Sequence, residues 1–197
     1  MPAAAMTAPQ LTLDEIDDLL YFTRANEAED LQQTVKDLAQ KYSCAEKDIL
    51  HASIDPDTHN TVLHYCSANG LSDLLVSLLA LLTHDNTVAH LIDAQNSQGN
   101  TPLHWAAYNG HLSVVQILVD AGADMWVKNS AGHLAMFEAG RAEKEDVVQF
   151  LLERGGKALE TGGREGVPSR DEEVEVEAEV GGSGSNGAEG VDVEMAG

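Results

Sequence analysis

Residues 96–106 read Asn96-Ser97-Gln98-Gly99-Asn100-Thr101-Pro102-Leu103-His104-Trp105-Ala106, and their first four positions return as Asn129-Ser130-Ala131-Gly132, 33 residues later. The register continues beyond this motif, because Ala106 pairs with Ala139, Leu118 with Leu151 and Gly122 with Gly155. A fixed period of this length is typical of chains built from stacked structural repeats. The pattern therefore predicts a solenoid in which each unit packs mainly on its neighbours.

The hexapeptide that starts at Thr101 resembles the signature of the ankyrin repeat. Pro102 suits the first position of a helix, where its missing N–H costs nothing. Asn109-Gly110 then predicts a tight turn, and a second helix follows with apolar residues at helical spacing, namely Leu112, Val114, Val115, Leu118 and Val119. The resemblance implies an all-α fold, an ankyrin-repeat solenoid of about four repeats that each contain two helices and a hairpin finger.

Weaker copies of the motif lie on both sides of this repeat. Thr61-Val62-Leu63-His64-Tyr65-Cys66 precedes it by 40 rather than 33 residues, so seven residues are inserted between Leu79 and Gln95. Amphipathic patterns at 13–25 and 28–42 predict two helices of an N-terminal cap. The predicted organisation is a disordered N-terminus at 1–12 and an ankyrin domain at 13–156, divided into an N-terminal capping repeat (13–50), a repeat with the insertion (55–95), a consensus repeat (96–128) and a C-terminal capping repeat (129–156).

The composition changes near Gly155-Gly156, where we expect the last helix to end. Beyond it the chain is rich in Gly and Glu, has no aromatic residue and alternates Val with Glu from Val174 to Val180. Such a segment buries too little apolar surface to offset the entropy of ordering. Residues 157–197 are therefore predicted to form a disordered, acidic C-terminal tail.

The charge of the chain is strongly negative, with 33 acidic and 11 basic residues and a formal net charge of -22. No Lys or Arg occurs from Asp48 to Val127, a stretch that contains eight Asp residues. A field of this sign attracts basic proteins and repels nucleic acid, so we expect a basic protein partner and no direct nucleic-acid binding. The alternative reading is that the charge serves solubility alone.

The last copy of the motif makes the resemblance more specific. Gly132-His133, Ala135 and Phe137-Glu138-Ala139, which follow the central motif and an over-long repeat, resemble the small fungal ankyrin-repeat chaperones of the small-subunit ribosomal protein S-three. This resemblance implies a dedicated chaperone that binds the newly made, basic ribosomal protein on its concave side, keeps it soluble and escorts it for ribosome assembly. It also implies a cytoplasmic and nuclear protein, which we expect to be a monomer when free.

Candidate partner-binding residues are those that should face outward from the first helix of each repeat and along the fingers. They are Asp57, Asn60, Tyr65 and Asn69 in the second repeat, Gln98, Asn100, Trp105, Tyr108 and Asn109 in the third, and Trp126, Lys128, His133, Glu138 and Arg141 around the last finger. Trp105 and Tyr108 lie three residues apart and should share a helix face. For Trp105 the alternative is packing between adjacent helices.

The histidines and the two cysteines do not predict an enzyme. His64 and His104 occupy the histidine position of the motif, where a ring nitrogen is expected to join the helix start to the finger backbone. Cys66 replaces a small motif residue and should be a buried filler. We therefore expect no catalytic residues, no metal and no cofactor, and no membrane span. The alternative function is a general ankyrin adaptor or inhibitor in signalling between proteins.

Overall fold

The computed structural model describes residues 9–82 and 91–161, with side chains up to Gly156. Three predictions consequently lie wholly or largely outside the described residues: disorder before Leu13, the path of the insertion between Leu79 and Gln95, and disorder in the acidic tail. The described part of the chain is helical, with isolated bridges between Ile54 and Thr61 and between Lys128 and Leu134. It contains the helices α1 (Leu13–Ala25), α2 (Ala28–Tyr42), α3 (Glu46–Ala52), α4 (Val62–Asn69), α5 (Ser72–Leu82), α6 (Pro102–Asn109), α7 (Leu112–Asp120), α8 (Ala135–Arg141) and α9 (Glu145–Thr161).

The two predicted cap helices are confirmed as α1 and α2. Thr12 starts α1 through a capping box, in which its backbone N–H donates to Glu15 Oε2 at 2.8 Å and its hydroxyl accepts from the Glu15 N–H. Lys41 on α2 bonds Glu15 Oε1 at 2.6 Å, and this bond is the main reason that the pKa of Glu15 is lowered to about 2. The third helix, α3, is absent from the sequence-based prediction.

The helices pack in two rows. Inner helices α1, α4, α6 and α8 contact one another in that order, while α3, α5, α7 and α9 pack behind them. The core between the rows is formed largely by the motif positions, such as Leu63, Cys66, Leu103 and Ala106, all with no exposed surface. The small side chains of Cys66 and Ala106 let neighbouring helices approach closely, so that one repeat stacks on the next. The predicted all-helical ankyrin solenoid is confirmed.

The turn between the two helices of a repeat requires a left-handed residue. Gly70 and Gly110 adopt the left-handed conformation, with φ of 71° and 79°. A Cβ on Gly70 would also lie 2.7 Å from the ring of His111, whereas at Gly110 the nearest atoms belong to the flexible Lys144 side chain, so there the left-handed φ is what favours glycine. In the last repeat the same position is Glu143, which adopts φ 58° despite its side chain.

The predicted end of the last helix at Gly155 is wrong. α9 continues through Gly155 and Gly156 to Thr161. The equivalent Gly122 does end its helix, with φ 97°. An added Cβ at Gly155 would meet the Trp126 ring at 3.4 Å, an ordinary van der Waals distance.

Candidate functional site

The motif histidines connect successive fingers, as the sequence predicts. Nδ1 of His104 lies 3.2 Å from the backbone N–H of Thr101, which can only donate, so the ring proton is on Nε2. That Nε2 donates to the carbonyl oxygen of His133 at 3.0 Å. His64 repeats the arrangement with the Thr61 N–H and with the carbonyl oxygen of Asn100 at 2.9 Å. Each ring thus fixes the position of the next finger.

Asparagine side chains form a second series of links between fingers. Asn96 donates to the side-chain oxygen of Asn60 at 2.9 Å, and Asn129 donates to that of Asn100 at the same distance. The backbone N–H of Ser130 also donates to the carbonyl oxygen of Gln98. Asn60 and Asn100, predicted as partner contacts, therefore use their amide oxygens within the protein.

A hollow of about 780 Å³ lies between the fingers and the inner helices α6 and α8. It brings together six of the residues that the sequence singles out: Gln98, Asn100, Trp105, Tyr108, Glu138 and Arg141. Ser97, His104, Ser130 and Ala131 also line it. This set spans the consensus repeat and the closing repeat, so the hollow is a site that two adjacent repeats build jointly.

Trp105 and Tyr108 form the aromatic wall of the hollow. Tyr108 is 47% exposed. Trp105 is half-buried, and its indole Nε1 is shielded from solvent with no hydrogen-bond partner among the described residues. Both readings of Trp105 therefore hold in part, because the ring packs inside the stack and also presents a surface to the hollow.

Glu138 differs from its prediction as an outward-facing residue, since it is buried at 8% exposure. Its carboxylate accepts hydrogen bonds from His133 Nδ1 at 2.8 Å, Asn129 Nδ2 at 3.1 Å and Arg141 Nη1 at 2.8 Å. Burial raises the pKa of Glu138, but the bonds from His133 and Asn129 and the charge of Arg141 outweigh it and leave the pKa lowered. Glu138 is therefore ionised at neutral pH, and only a small part of its surface is accessible from the hollow.

Tyr65 occupies the position in α4 that Trp105 has in α6. Its hydroxyl donates to Asp55 Oδ2 at 2.8 Å, and the guanidinium of Arg24 lies 5.1 Å from its ring centroid. Burial is the main cause that raises the pKa of Tyr65, and the hydrogen bond to the Asp55 carboxylate adds to it. Because α1 stacks on α4, Arg24 brings a positive charge from the first repeat to this aromatic side chain.

The remaining candidates lie outside the hollow, in different settings. Asp57 and Asn69 are exposed, on the first finger and at the end of α4. Asn109 donates its amide to the carbonyl oxygen of Ala68 at 2.8 Å and so holds two adjacent turns together. His133 is half-buried and bonded to Glu138. Lys128 is exposed on the last finger.

Trp126 lies in a separate cleft, not in the hollow. It is 53% exposed and shares a cleft of about 250 Å³ with Met125, Met136, Leu152 and Gly155. The backbone N–H of Trp126 is held by Asp124 Oδ1 at 2.8 Å. Trp126 is therefore not among the residues that line the hollow with Trp105 and Tyr108.

Positive charge is present on the inner face, although the stretch from Asp48 to Val127 has none. Arg24 reaches Tyr65 from the first repeat, and Arg141 lines the hollow from the last. The absence of Lys and Arg from Asp48 to Val127 therefore does not leave the inner face without cations, because stacking places residues from the two ends of the sequence beside its centre. The sequence does not indicate Arg24 as an inner-face residue, since its place there depends on the stacking of α1 on α4.

Ser97 and Ser130 were also missed as lining residues. They are related by the 33-residue period and directly precede Gln98 and Ala131, which also line the hollow. The repeat pattern could therefore have indicated both serines as lining residues.

The other polar groups have structural roles. Burial raises the pKa of the Cys66 thiol to about 12 and lowers the pKa of His64 to about 4. Within residues 9–82 and 91–156, no three His, Cys, Asp or Glu side chains converge in a way that would hold a metal ion.

No helix in the described parts of the chain combines the length and apolar character that crossing a membrane requires.

Residues 24–129 and 63–161 match the description of ankyrin repeats in three copies. The probable E3 ubiquitin-protein ligase XBOS33 of Oryza sativa subsp. japonica is 47% identical over 53 residues, which are 27% of this chain and 10% of that protein. Diacylglycerol kinase iota of Mus musculus is 34% identical over 97 residues, 49% of this chain and 9% of that protein. This chain thus spans about a tenth of the length of these two relatives.

A solved structure of the yeast ribosomal protein Rps3 in complex with its chaperone Yar1 contains a similar chain. The two chains align with a TM-score of 0.65 and 30% sequence identity. The alignment covers 73% of this chain and 95% of that chain.

Proposed function

The chain belongs to the ankyrin-repeat family, and we propose that it is a dedicated chaperone of a small-subunit ribosomal protein related to Rps3. It would bind the newly made ribosomal protein, keep it soluble and escort it for ribosome assembly. The observation that carries the proposal is the likeness to a chain of the chaperone complex over 95% of that chain's length. The alignment also covers 73% of this chain, whereas the two relatives described above share only about a tenth of their length with it.

The surface chemistry supports a large basic partner. The net charge of -22 increases the rate at which a basic protein meets the chain and disfavours acidic competitors. Trp105 and Tyr108 supply apolar contact area of the kind that interfaces use for affinity, and Tyr108 is the more exposed of the two. His64, His104 and Asn129 hold successive fingers in place, which suits a rigid binding scaffold.

The test is binding and protection of the ribosomal protein. Purified Rps3 should aggregate less, by light scattering, when an equimolar amount of this chain is present. Calorimetric titration should show binding that weakens as the salt concentration rises, because exposed charges are screened. Tyr108→Ala should weaken binding by about 2 kcal/mol if this side chain is a main contact.

Val76→Ala is the matched control, because Val76 is 52% exposed on α5 in the outer row. It should leave affinity unchanged. If the wild-type chain neither binds the ribosomal protein nor reduces its aggregation, the chaperone proposal is wrong. Recovery of several unrelated partners and no ribosomal protein from the native extract would then favour the adaptor.

A further inference from the structure

Arg141 is the charged side chain of the hollow that stays accessible to a partner. Its side chain is 56% exposed, whereas that of Glu138, the other charged group in the lining, is only 10% exposed. It lines the same hollow as Trp105 and Tyr108. A basic partner alone gives no reason for a cation at this point, since like charges would repel.

Glu138 holds the guanidinium in a defined direction. The single hydrogen bond that Arg141 makes to another described side chain runs from Nη1 to Glu138 Oε2, at 2.8 Å. Glu138 is itself fixed by His133 and Asn129, at 2.8 and 3.1 Å. Because a guanidinium carries five N–H donors in a rigid fork, this one bond leaves most of the fork for a partner.

The local charge of the hollow permits a carboxylate beside Arg141. Glu138 and Arg141 sum to zero, while the residues from Asp48 to Val127 include eight Asp and no cation. A planar carboxylate matches the guanidinium fork in two parallel hydrogen bonds. Phosphates of a nucleic acid are a poorer fit, because one arginine on a chain with a net charge of -22 neutralises too little of their charge.

We propose that the hollow beside Arg141 receives an acidic side chain of the bound segment, so that this segment is not uniformly basic. The inference rests on the proposed function and adds to it the orientation of the bound segment. The acidic residue of the segment would lie at the closing repeat, and its basic residues would point towards the exposed Asp17 and Asp57 of the earlier repeats.

The experiment first maps the bound segment with overlapping fragments of Rps3, and then replaces each of its acidic residues by Gln. Affinities of these fragments are measured for the wild-type chain and for Arg141→Gln. We expect one acidic residue whose replacement weakens binding to the wild type about tenfold and leaves binding to Arg141→Gln unchanged. Arg141→Lys should bind with intermediate affinity, because it keeps the charge and loses the fork.

Arg154→Gln is the matched control for the loss of one positive charge. Arg154 pairs with Asp120 on the outer helices, outside the hollow, and its replacement should change affinity less than twofold. The circular dichroism spectrum and the urea midpoint of each variant show whether it is folded. Should Arg141→Gln destabilise the fold, Arg141→Lys provides the same comparison.

The possible results separate this inference from the function on which it rests. If Rps3 fragments bind the wild type but no acidic residue couples to Arg141, or if Arg141→Gln binds more tightly, the inference is wrong and the chaperone proposal stands. If no fragment and no full-length protein binds the wild type, the chaperone proposal fails and the inference fails with it.

Discussion

The Nε2 atom of His64 lies 2.9 Å from the carbonyl oxygen of Asn100, 36 residues further along the chain. The other ring nitrogen, Nδ1, faces the backbone N–H of Thr61 at 3.1 Å. The ring must therefore be neutral, with its proton on Nε2, to make both bonds. One side chain thus joins the start of α4 to the next finger and depends on its own protonation state to do so.

The free energy of unfolding should fall as the pH is lowered through the range where unfolded histidine binds a proton. Burial lowers the pKa of His64 from 6.5 to about 4 and also lowers the pKa of His104. The unfolded state then binds more protons than the native state between these values, so stability is complete above pH 6.5 and is lost towards pH 4. His64 alone should contribute a loss of about 2 kcal/mol between pH 7 and pH 5, measured by urea unfolding.

His64→Gln should reduce this dependence on pH, and His59→Gln, which replaces an exposed histidine, should retain it. Equal free energies of unfolding at pH 5 and pH 7 in the wild type would contradict the assignment of His64 as a buried neutral link.

Glu143→Gly should stabilise the fold. Glu143 adopts φ 58° at the turn position that Gly70 and Gly110 occupy in earlier repeats. A left-handed conformation costs a residue with a Cβ about 1 kcal/mol or more, and the greater freedom of glycine in the unfolded chain offsets part of the gain. We expect the free energy of unfolding to rise by about 0.5 kcal/mol, measured by chemical denaturation.

Glu145→Gly, two residues later in the first turn of α9, is the control for removing an exposed acid. It should lower the free energy of unfolding by about 1 kcal/mol, because glycine is unfavourable in a helix. A loss of stability in Glu143→Gly of the same size would show that the turn does not strain Glu143.

Trp105→Phe should cost little stability or none. The indole Nε1 is buried without a partner among the described residues, and a buried unpaired donor costs about 1–3 kcal/mol. Phenylalanine removes that donor and keeps most of the ring contacts. Trp105→Ala should instead lower the free energy of unfolding by about 2 kcal/mol or more, because half-buried packing is lost. Thermal unfolding of both variants tests this, and similar losses in the two would mean that the indole N–H is paired in solution.

Cys66 should react with a thiol reagent only when the protein unfolds. It has no exposed surface, and burial raises its pKa to about 12, so almost no thiolate forms at neutral pH. Cys44 is half-buried, and burial raises its pKa as well. Native protein should therefore be labelled slowly and at Cys44 only, as mass spectrometry of the labelled peptides would show. Rapid labelling of Cys66 would reopen the question of a nucleophilic site.

The local motifs were predictable because each depends on a few adjacent residues. Pro102 at a helix start, Gly110 in a left-handed turn and Thr12 as a cap need no knowledge of the rest of the fold. The helix bounds 13–25 and 28–42 follow in the same way from apolar spacing. Gly155 misled the prediction because a glycine at the end of an apolar pattern does not by itself end a helix: Gly155 continues α9, whereas the equivalent Gly122 is left-handed with φ 97°.

The composition of the site could be predicted only in part. Trp105 and Tyr108 share a helix face by their spacing alone, and the hollow contains both. The burial of Glu138 depends on donors from His133 and Asn129, whose positions are set by the last finger. Arg24 and Arg141 enter the inner face through the stacking of α1 on α4 and of α8 on α6.

The amino-acid sequence by itself determined the repeat, its period, the helix starts and turns and the negative charge, since these depend on residue types at short spacings. Only the tertiary structure decided which side chains are accessible to a partner and which form the hydrogen bonds that hold the fingers. That decision depends on distances between residues 29 to 36 positions apart, such as the 2.9 Å from Asn129 to Asn100 and from Asn96 to Asn60, and stacking alone brings them together.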